Sequence, residues 1–345
     1  MKNLLVLNTG SSSIKFALFS NNQKVFSGKI EKVRDFKKAI NTILKTLEEN
    51  SVKFDVIAHR IVHGGDLNKP CLINRKTESI IKKYSEFAPL HNPPQLQVIQ
   101  ICKKFKKEQY AVFDTAFFAD IPDKAKHYPI PEDIREKYNI KKYGFHGISH
   151  KSMAQNIFGK TISIHLGSGC SISAILNNKP IDTSMGLTPL EGLMMGTRPG
   201  DIDSGILIFL SKKKYNLDDI LNFKSGLKAF SKDNDFRYFL SNLDKPKIKL
   251  GFDIFVYKIV KYIGAYTAAL NGLDNLIFTG AIGENSSIVR EEICKNLTYL
   301  GIEIDNDKNK ENADIISTPV SRVKVFVKKT DEESEIAKEV YEMIS

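Results

Sequence analysis

The stretch that decides the fold is LLVLNTGSSSIKFALF, residues 4–19, in which two apolar runs flank a short polar turn. Each run has the length of a β-strand, and the Gly-Ser tip supplies the turn residues of a hairpin. A second stretch, TISIHLGSGCSISAIL at residues 161–176, repeats the order of strand, Gly-Ser tip and strand, and an Asn-Asn pair follows each copy. Two such hairpins about half a chain apart predict an internally duplicated architecture.

Helical patterns fill much of the chain around these hairpins. Asp35 precedes apolar residues that recur along one helix face, and Asn92 is followed by two prolines, which a first helical turn tolerates well. A long helix is predicted from about Lys249 to Leu270. Further short strands are predicted at 110–113, 276–278 and 323–327, and a terminal helix at 331–344. Strands mixed with helices throughout predict an α/β protein.

Composition places the chain among ordinary globular proteins. It has 345 residues, 42% hydrophobic and 26% charged, enough for two domains. The longest apolar run, Ile206–Leu210, is far too short to span a membrane. Four scattered cysteines predict reduced thiols and a cytoplasmic protein. The net charge of +11 comes mostly from dispersed lysines, because only eight of the 51 basic residues are arginine, and this predicts a solvated surface without nucleic-acid binding.

Three glycine-containing turns predict a nucleotide site. Asn8–Ser13, followed by Lys15, offers consecutive backbone N–H groups and hydroxyls that suit phosphate oxygens. His165–Gly169 repeats this offer at the tip of the second hairpin. In the third segment, 276–285, a buried strand leads through a glycine turn into a helix predicted to begin near Asn285. Each turn alone is also compatible with a plain structural turn, and the Walker spacing is absent.

Other candidate residues allow more than one interpretation. H-x-x-x-H occurs at His59 and His63 and again at His146 and His150, but glycines in or beside both copies disfavour a helical zinc site. A histidine and an arginine converging on an anion are favoured instead. The glycine-rich stretch 185–203 predicts a functional loop in which Arg198 could clamp a phosphate or carboxylate.

A carboxylate also lies at the end of an apolar strand. Asp114 follows the strand predicted at 110–113, a position where active-site acids of α/β folds often lie. A helix-capping or turn-capping role is the equally open alternative for this residue.

Together these segments closely resemble the acetate kinase family. The resemblance runs from the first strand to the last helix and is carried by 8–16, 59–65, 89–94, 113–117, 143–150, 185–198 and 279–285. It implies two duplicated RNase H-like domains of the actin, sugar kinase and Hsp70 type, with an interdomain ATP cleft. The implied domains are 1–117 with 333–345, and 118–332, which carries most nucleotide contacts. The implied reaction is the reversible, Mg²⁺-dependent transfer of a phosphoryl group from ATP to acetate, giving ADP and acetyl phosphate. The resemblance also implies that Mn²⁺ can replace Mg²⁺ and that the enzyme is a homodimer.

The same resemblance implies a role for each matching residue. Asn8 and Glu332 match the magnesium site, Arg60 matches the arginine that holds acetate, and Asp114 matches the catalytic acid. His146 and Arg198 match the stabilisers of the transition state. The residues that match the pocket around the acetate methyl group are Val62, Leu90, Phe145 and Pro189. The residues that match ATP contacts are Lys15, His165, Leu166, Gly167, Ser168, Gly169, Asp235, Phe236, Arg237, Ala281, Ile282, Gly283, Glu284 and Asn285.

Two of these positions depart from the family pattern, since Ser168 stands where the family usually has asparagine and Ala281 where it usually has glycine. Three other functions are also compatible with the sequence. A kinase of propionate or another short fatty acid would have the same fold. A sugar or polyol kinase would need Asp114 as a true base for a hydroxyl group. An ATP-switch module of the Hsp70 or actin type would need a partner-binding region outside the cleft.

Overall fold

The computed structural model describes residues 2–231, 233 and 235–344, which divide into two units. The first unit comprises Met1–Ala119, Phe145–Ser152 and Asp331–Ser345. The second comprises Asp120–Gly144 and Met153–Thr330. No helix among the described residues is long and apolar enough to cross a membrane.

Strands and helices alternate along the chain. The strands are β1 Leu4–Thr9, β2 Ser13–Ser20, β3 Gln23–Glu31, β4 Val56–Ile61, β5 Cys71–Leu72, β6 Glu108–Phe113, β7 Lys160–Leu166, β8 Cys170–Leu176, β9 Lys179–Thr183, β10 Asn275–Thr279 and β11 Lys324–Val327. The helices are α1 Phe36–Glu49, α2 Arg75–Lys83, α3 Asn92–Cys102, α4 Asp123–Lys126, α5 Glu132–Lys137, α6 Gly147–Ala154, α7 Ser204–Lys212, α8 Leu217–Asp219, α9 Phe236–Leu240, α10 Pro246–Leu270, α11 Gly280–Asn285, α12 Ser287–Cys294, α13 Asn306–Lys310 and α14 Glu332–Ile344.

The sheet of the first unit has its strands in the order β3-β2-β1-β4-β6-β5. β1 is antiparallel to β2 and parallel to β4, and β4 is parallel to β6. Every residue of β1 is buried, because alternate side chains enter two different cores. Leu5 and Leu7 pack with α1 and α3, whereas Leu4 and Val6 pack with α14.

The sheet of the second unit repeats this topology in the order β9-β8-β7-β10-β11. β7 is antiparallel to β8 and parallel to β10, which in turn is parallel to β11. In each sheet, a three-stranded antiparallel meander is therefore extended by two parallel strands, and the first sheet ends with the additional antiparallel strand β5. The duplicated architecture predicted from the two hairpins is confirmed.

Local sequence signals account for the turns and caps of these elements. The Asn21-Asn22 and Asn177-Asn178 pairs adopt left-handed φ values of 51° and 62°, and of 49° and 66°, as tight hairpin turns require. The side chain of Asp35 accepts from Lys38 N–H and caps α1, as predicted.

Two predictions about helices need correction. The helix expected near Asn285 begins at Gly280, directly after β10, so the glycine turn itself is helical. Gly280 has a φ of +77°, and a Cβ there would lie 2.6 Å from the carbonyl oxygen of Leu166. The close approach of backbone to backbone lets this helix start earlier than its composition indicates. The second H-x-x-x-H stretch is also partly helical, since α6 begins at Gly147.

Candidate active site

Three neighbouring strands of the first unit bring Asn8, Arg60 and Asp114 together. Asn8 lies near the end of β1, Arg60 lies near the end of β4, and Asp114 directly follows β6. These strands are parallel neighbours, so their carboxyl ends meet at one edge of the sheet. This edge is where ligands usually bind in open α/β sheets.

Arg60 lies at the centre of this group. Its Nη2 donates to Asp114 Oδ2 at 2.7 Å, and its Nε lies 3.3 and 3.2 Å from Asp114 Oδ1 and Oδ2. Nη1 donates to Asn8 Oδ1 at 3.1 Å and lies 3.2 Å from Glu332 Oε2. Burial lowers the pKa of the guanidinium, but Asp114 and Glu332 raise the pKa by more, and the net shift is upward. Arg60 is therefore a permanent cation whose orientation is fixed by carboxylates.

Asp114 is a fully buried carboxyl group with an altered acidity. Burial raises its pKa to about 6, and Glu332 adds to this rise. Arg60 and the backbone N–H of Ile148, in the first turn of α6, oppose the shift. Asp114 is thus ionised at neutral pH but takes up a proton in the mildly acidic range.

Asn8 and Glu332, the predicted magnesium residues, are in direct contact. Asn8 Nδ2 donates to Glu332 Oε2 at 2.8 Å and to Glu333 Oε1 at 2.6 Å. The Glu333 contact was missed from the sequence, because two adjacent glutamates at a helix start give no sign that both turn inward. The oxygen donors of Asn8 and Glu332 suit Mg²⁺, which proteins usually hold through one or two carboxylates, waters and substrate phosphates. In the described part of the chain, no three His, Cys, Asp or Glu side chains form a metal cage, so substrate phosphates would have to complete such a site.

His146 lies in the first unit, immediately before α6. Its backbone is left-handed, with a φ of 56°, in a region that histidine adopts more often than most other non-glycine residues. The next residue, Gly147, is held close to Asp114, since a Cβ there would lie 1.9 Å from the Asp114 carbonyl oxygen. The backbone at His146 is therefore fixed against the end of β6.

Three of the four residues predicted to surround the acetate methyl group lie in the first unit. Val62 and Phe145 are buried, and Leu90 is half-buried. His63 connects Val62 with Phe145. It follows Val62 directly in the chain, and its ring packs edge to face against the Phe145 ring, with centroids 5.5 Å apart. The fourth residue, Pro189, lies in the second unit.

Pro189 and Arg198 are neighbours in the loop between β9 and α7. Arg198 Nη1 donates to the Pro189 carbonyl oxygen at 2.7 Å. Further backbone bonds fix the loop, from Met195 N–H to Arg198 O at 3.0 Å and from Gly196 N–H to Ser168 O at 3.2 Å. Burial lowers the pKa of Arg198, and in the described part of the chain no carboxylate lies within ion-pair distance of its guanidinium. This loop presents a cation without an acidic partner.

Two of the predicted nucleotide loops meet in the second unit. β7 and β10 are parallel neighbours that pair as far as His165 and Thr279, so 165–169 and 281–285 begin side by side. Glu284 Oε1 accepts from Gly280 N–H at 3.0 Å and from Thr330 N–H at 2.8 Å. Ser168 and Ala281 are both exposed.

A buried arginine supports one of these loops and was missed from the sequence. Arg290 donates to the carbonyl oxygens of Gly283 and Glu284 at 2.7 and 3.0 Å, and to Asn309 and Asn312 beyond them. Its contacts satisfy the last carbonyls of α11, which have no partners within the helix.

The other predicted ATP contacts lie on β2 and at the start of α9. Lys15 is exposed on β2 of the first unit, directly across the strand pair from Asn8. Asp235 caps α9 by accepting from Arg237 N–H, and these two side chains form an exposed ion pair. Phe236 packs its ring against α10, with the Phe255 centroid 5.3 Å away. The described contacts of this segment therefore connect it to α10.

Comparisons with known proteins find similarity to acetate kinases and to a propionate kinase. The family model described as the Acetokinase family matches residues 26–338. The acetate kinase of Thermosipho africanus is 42% identical, with 99% of this chain and 97% of the relative covered. A crystal structure of a propionate kinase from Francisella tularensis has a TM-score of 0.90 at 37% identity, covering 98% of this chain and 99% of that one. The Porphyromonas gingivalis acetate kinase structure has a TM-score of 0.89 at 33% identity, with both chains fully covered.

Proposed function

Because the chain belongs to the acetokinase family, we propose that it catalyses the reversible transfer of a phosphoryl group from ATP to acetate, giving ADP and acetyl phosphate. The observation that carries this proposal is the placement of Arg60. The contacts of Arg60 use its Nε–H, one N–H of Nη2 and the Nη1 group, which leaves the second N–H of Nη2 for an incoming carboxylate. The guanidinium would hold acetate by charge and by this donor.

Acetate needs little activation as a nucleophile. Carboxyl groups titrate near pH 4, so acetate is already ionised at neutral pH and has no proton to lose. Asp114 therefore acts by orienting Arg60 through their two-point contact, rather than by abstracting a proton. In a sugar or polyol kinase, by contrast, the carboxylate would need to face a hydroxyl group.

His146 and Arg198 stabilise the charge that develops on the transferring phosphoryl group. Phosphoryl transfer depends mainly on positioning and charge neutralisation. Arg198 supports this role because it carries a charge with no carboxylate against it in the described part of the chain. A cation that is not already neutralised can respond fully to charge that appears only in the transition state.

Mg²⁺, or Mn²⁺ in its place, would be held by Asn8 and Glu332, largely through water. The ion neutralises phosphate charge when it is bound. The local charge supports this assignment, since the carboxylates of Asp114, Glu332 and Glu333 outnumber the single guanidinium of Arg60.

ATP and ADP bind in a cleft between two domains, 1–117 with 333–345 and 118–332. Residues 1, 232, 234 and 345 of these ranges lie outside the described residues. Lys15 and the three segments 165–169, 235–237 and 281–285 contact the nucleotide. The loops after β7 and β10 begin next to each other, which supports this assignment, because the backbone N–H groups of such loops can bind phosphate oxygens.

Propionate is the second candidate acceptor. The Francisella propionate kinase structure has a TM-score of 0.90 against this chain, so the same fold accommodates an acid one methylene longer. Val62 opposes this alternative, because its β-branched side chain is stiff at χ1 and cannot turn aside. An apolar pocket distinguishes one methylene by only about 1–3 kcal/mol, so propionate is a poorer substrate and not an excluded one.

The protein is a cytoplasmic homodimer that binds neither nucleic acid nor membrane. The dimer is supported by α7, which carries Ile206, Leu207, Ile208, Phe209 and Leu210. No residue of this described helix is buried. An apolar helix of this kind left in water is costly, and a second copy of the chain would cover it.

A substrate panel tests the proposed reaction. ADP formation from ATP and Mg²⁺ is measured with acetate, propionate, butyrate and glycerol, and any acyl phosphate formed is trapped with hydroxylamine, which displaces phosphate and gives the acyl hydroxamate. We expect the highest kcat/KM with acetate. Preference for glycerol would indicate a polyol kinase, and ATP hydrolysis that no acceptor accelerates would indicate an ATP-switch module.

A further inference from the structure

Two buried side-chain amides lie beneath the end of β4 and have no role assigned above. Asn92 and Gln95 both belong to the start of α3, one turn apart, and are 0% and 1% exposed. We call these two residues the amide bridge. Asn92 binds backbone groups of the segment that follows β4 through both its amide oxygen and its amide nitrogen, whereas Gln95 binds that segment through its oxygen and the end of β1 through its nitrogen.

Gln95 connects the ends of two strands beyond their last backbone pair. The parallel ladder of β1 and β4 ends with Leu7 opposite His59. Past that point, Gln95 Oε1 accepts from Val62 N–H at 3.0 Å and Gln95 Nε2 donates to the Thr9 carbonyl oxygen at 3.0 Å. The side-chain amide thus takes the place of a peptide group and extends the sheet where the two strands diverge.

Asn92 fixes the next residue along the same segment. Its Oδ1 accepts from His63 N–H at 3.0 Å, and its Nδ2 donates to the His63 carbonyl oxygen at 2.9 Å. Nδ2 also donates to the Ile81 carbonyl oxygen at 3.1 Å. This pair of bonds resembles the exchange between opposite residues of an antiparallel sheet. The backbone of Val62 and His63 is therefore held by side chains and not by another strand.

We propose that Gln95, supported by Asn92, is a positioning residue that sets the size of the acyl pocket by fixing Val62 relative to Thr9. The inference rests on the proposed function, because it assigns Val62 to the wall around the acetate methyl group. Thr9 directly follows Asn8 in the turn proposed to bind phosphate. One amide thus sets the distance between the phosphate-binding turn and the pocket wall.

Loss of this amide leaves two buried backbone groups without their partner. A buried backbone group that loses its hydrogen-bond partner is strongly unfavourable, so the segment moves until each group finds another partner or water. A moved Val62 no longer closes the pocket around one methyl group. Discrimination between acetate and propionate falls as a result.

The test compares kcat/KM for acetate and propionate in Gln95→Met, which keeps the length of the side chain and removes the amide. Gln95→Asn serves as a second variant, since it keeps the amide but cannot span both partners. The matched control is Gln109→Met. Gln109 is also a buried glutamine of this sheet, bonded to His59 Nε2 at 2.7 Å. Circular dichroism confirms that each variant is folded, and Gln95→Asn carries the test if Gln95→Met is not.

We expect the propionate-to-acetate ratio of kcat/KM to rise by about fivefold or more in the Gln95 variants, a part of the 10–200-fold discrimination that one methylene allows. The ratio stays within about twofold of wild type in Gln109→Met, whatever that change does to stability. The effect acts through Val62, so Val62→Ala and the Gln95 change are not additive in the double mutant. A merely structural role would lower stability and leave the ratio alone.

Two results would overturn different conclusions. An unchanged ratio in a folded Gln95 variant, or full additivity with Val62→Ala, contradicts the positioning role. Wild-type protein that forms no acetyl phosphate contradicts the proposed function instead, so the two failures are distinguishable.

Discussion

At the scale of single residues, the two arginines assigned to the reaction are in opposite electrostatic states. Arg60 contacts two carboxylates and an amide oxygen, whereas Arg198 donates to a backbone carbonyl group. Arg60 keeps one N–H of Nη2 for a substrate carboxylate that is charged from the start. A cation without a counter-ion is suited to charge that develops during the reaction. The two residues should therefore fail in different ways.

Arg198→Ala should lower kcat by about 10²–10³-fold with little change in either KM, because its interaction is made mainly in the transition state. Steady-state kinetics with varied ATP and varied acetate measure this effect. Arg135→Ala, in the exposed helix α5, is the control and should behave as wild type. A normal kcat with weakened substrate binding would contradict the assignment of Arg198.

Arg60→Ala should raise the KM for acetate as well as lower kcat, since the acetate carboxylate is charged before the reaction begins. The KM for ATP, measured at saturating acetate, should change less than the KM for acetate. The assignment of Arg60 as the acetate clamp would not survive an unchanged acetate KM in this variant.

Asp114 should give the enzyme a low-pH limb with an apparent pKa of about 6. Below that pH the protonated carboxyl holds Arg60 poorly, so the limb should appear in the KM for acetate. Asp114→Asn mimics the protonated form and should show a high acetate KM at every pH, without the limb. A limb confined to kcat would indicate proton abstraction by Asp114 instead.

The same carboxyl group affects stability with a defined sign. Folding raises its pKa from 3.8 to about 6, so its contribution to stability is full below about pH 4 and is lost as the pH rises through 6. The difference in Tm between Asp114→Asn and wild type should therefore favour the variant most above pH 7, where wild type no longer gains stability from this group. Active sites commonly retain such a cost to stability for the sake of activity.

At the scale of secondary-structure elements, the packing of α7 within its own unit does not account for its apolar side chains, which remain exposed. Ile208 and Phe209 are 59% and 58% exposed, although this part of the helix is the longest apolar run of the chain. A helix normally turns such a face toward a core. The exposed face of α7 is what the proposed dimer explains.

Phe209→Glu should convert the dimer into a monomer at micromolar concentration, because a carboxylate buried in an apolar interface is strongly unfavourable. Light scattering after size-exclusion chromatography measures the mass. Val320→Glu is the matched control, since Val320 is 75% exposed in the same unit and lies far from α7 in sequence. A monomeric wild type, or a dimeric Phe209→Glu, would show that α7 does not form the interface.

At the scale of the whole molecule, two sheets with one topology divide the chemistry between them. The first sheet brings carboxylates and Arg60 to its edge, and the second brings glycine loops to the corresponding strand ends. Because the strand order is duplicated, each half has an edge of the same kind, and the two edges carry different side chains.

Binding of Mg²⁺ with ADP should stabilise the whole molecule more than either ligand does alone. A ligand at 100 times its Kd adds about 2.7 kcal/mol to the free energy of unfolding. Thermal unfolding with ADP, with Mg²⁺ and with both measures the effect, and chelator should abolish both the added stability and the activity. Asn8→Ala should lose the extra stabilisation by Mg²⁺. Full turnover in excess chelator would contradict a metal requirement.

Much of the fold follows from the sequence alone, because the signals that specify it are local. The hairpins at 4–19 and 161–176 are fixed by strand-length apolar runs and by asparagine pairs that accept left-handed φ values. The cap of α1 and the start of α3 depend on residues next to each other in the chain. The resemblance to one family likewise rests on contiguous segments, each complete in the sequence.

The tertiary structure alone decided which side chains meet. Asn8 contacts Glu332 and Glu333 across more than 320 residues, and Gln95 reaches Thr9 across 86. Such contacts depend on strand order and on the packing of helices against the sheet, and no local pattern encodes either one. The early start of α11 has the same origin, since close approach to another backbone permits it. Local free energies thus specify the elements, and long-range packing specifies the site.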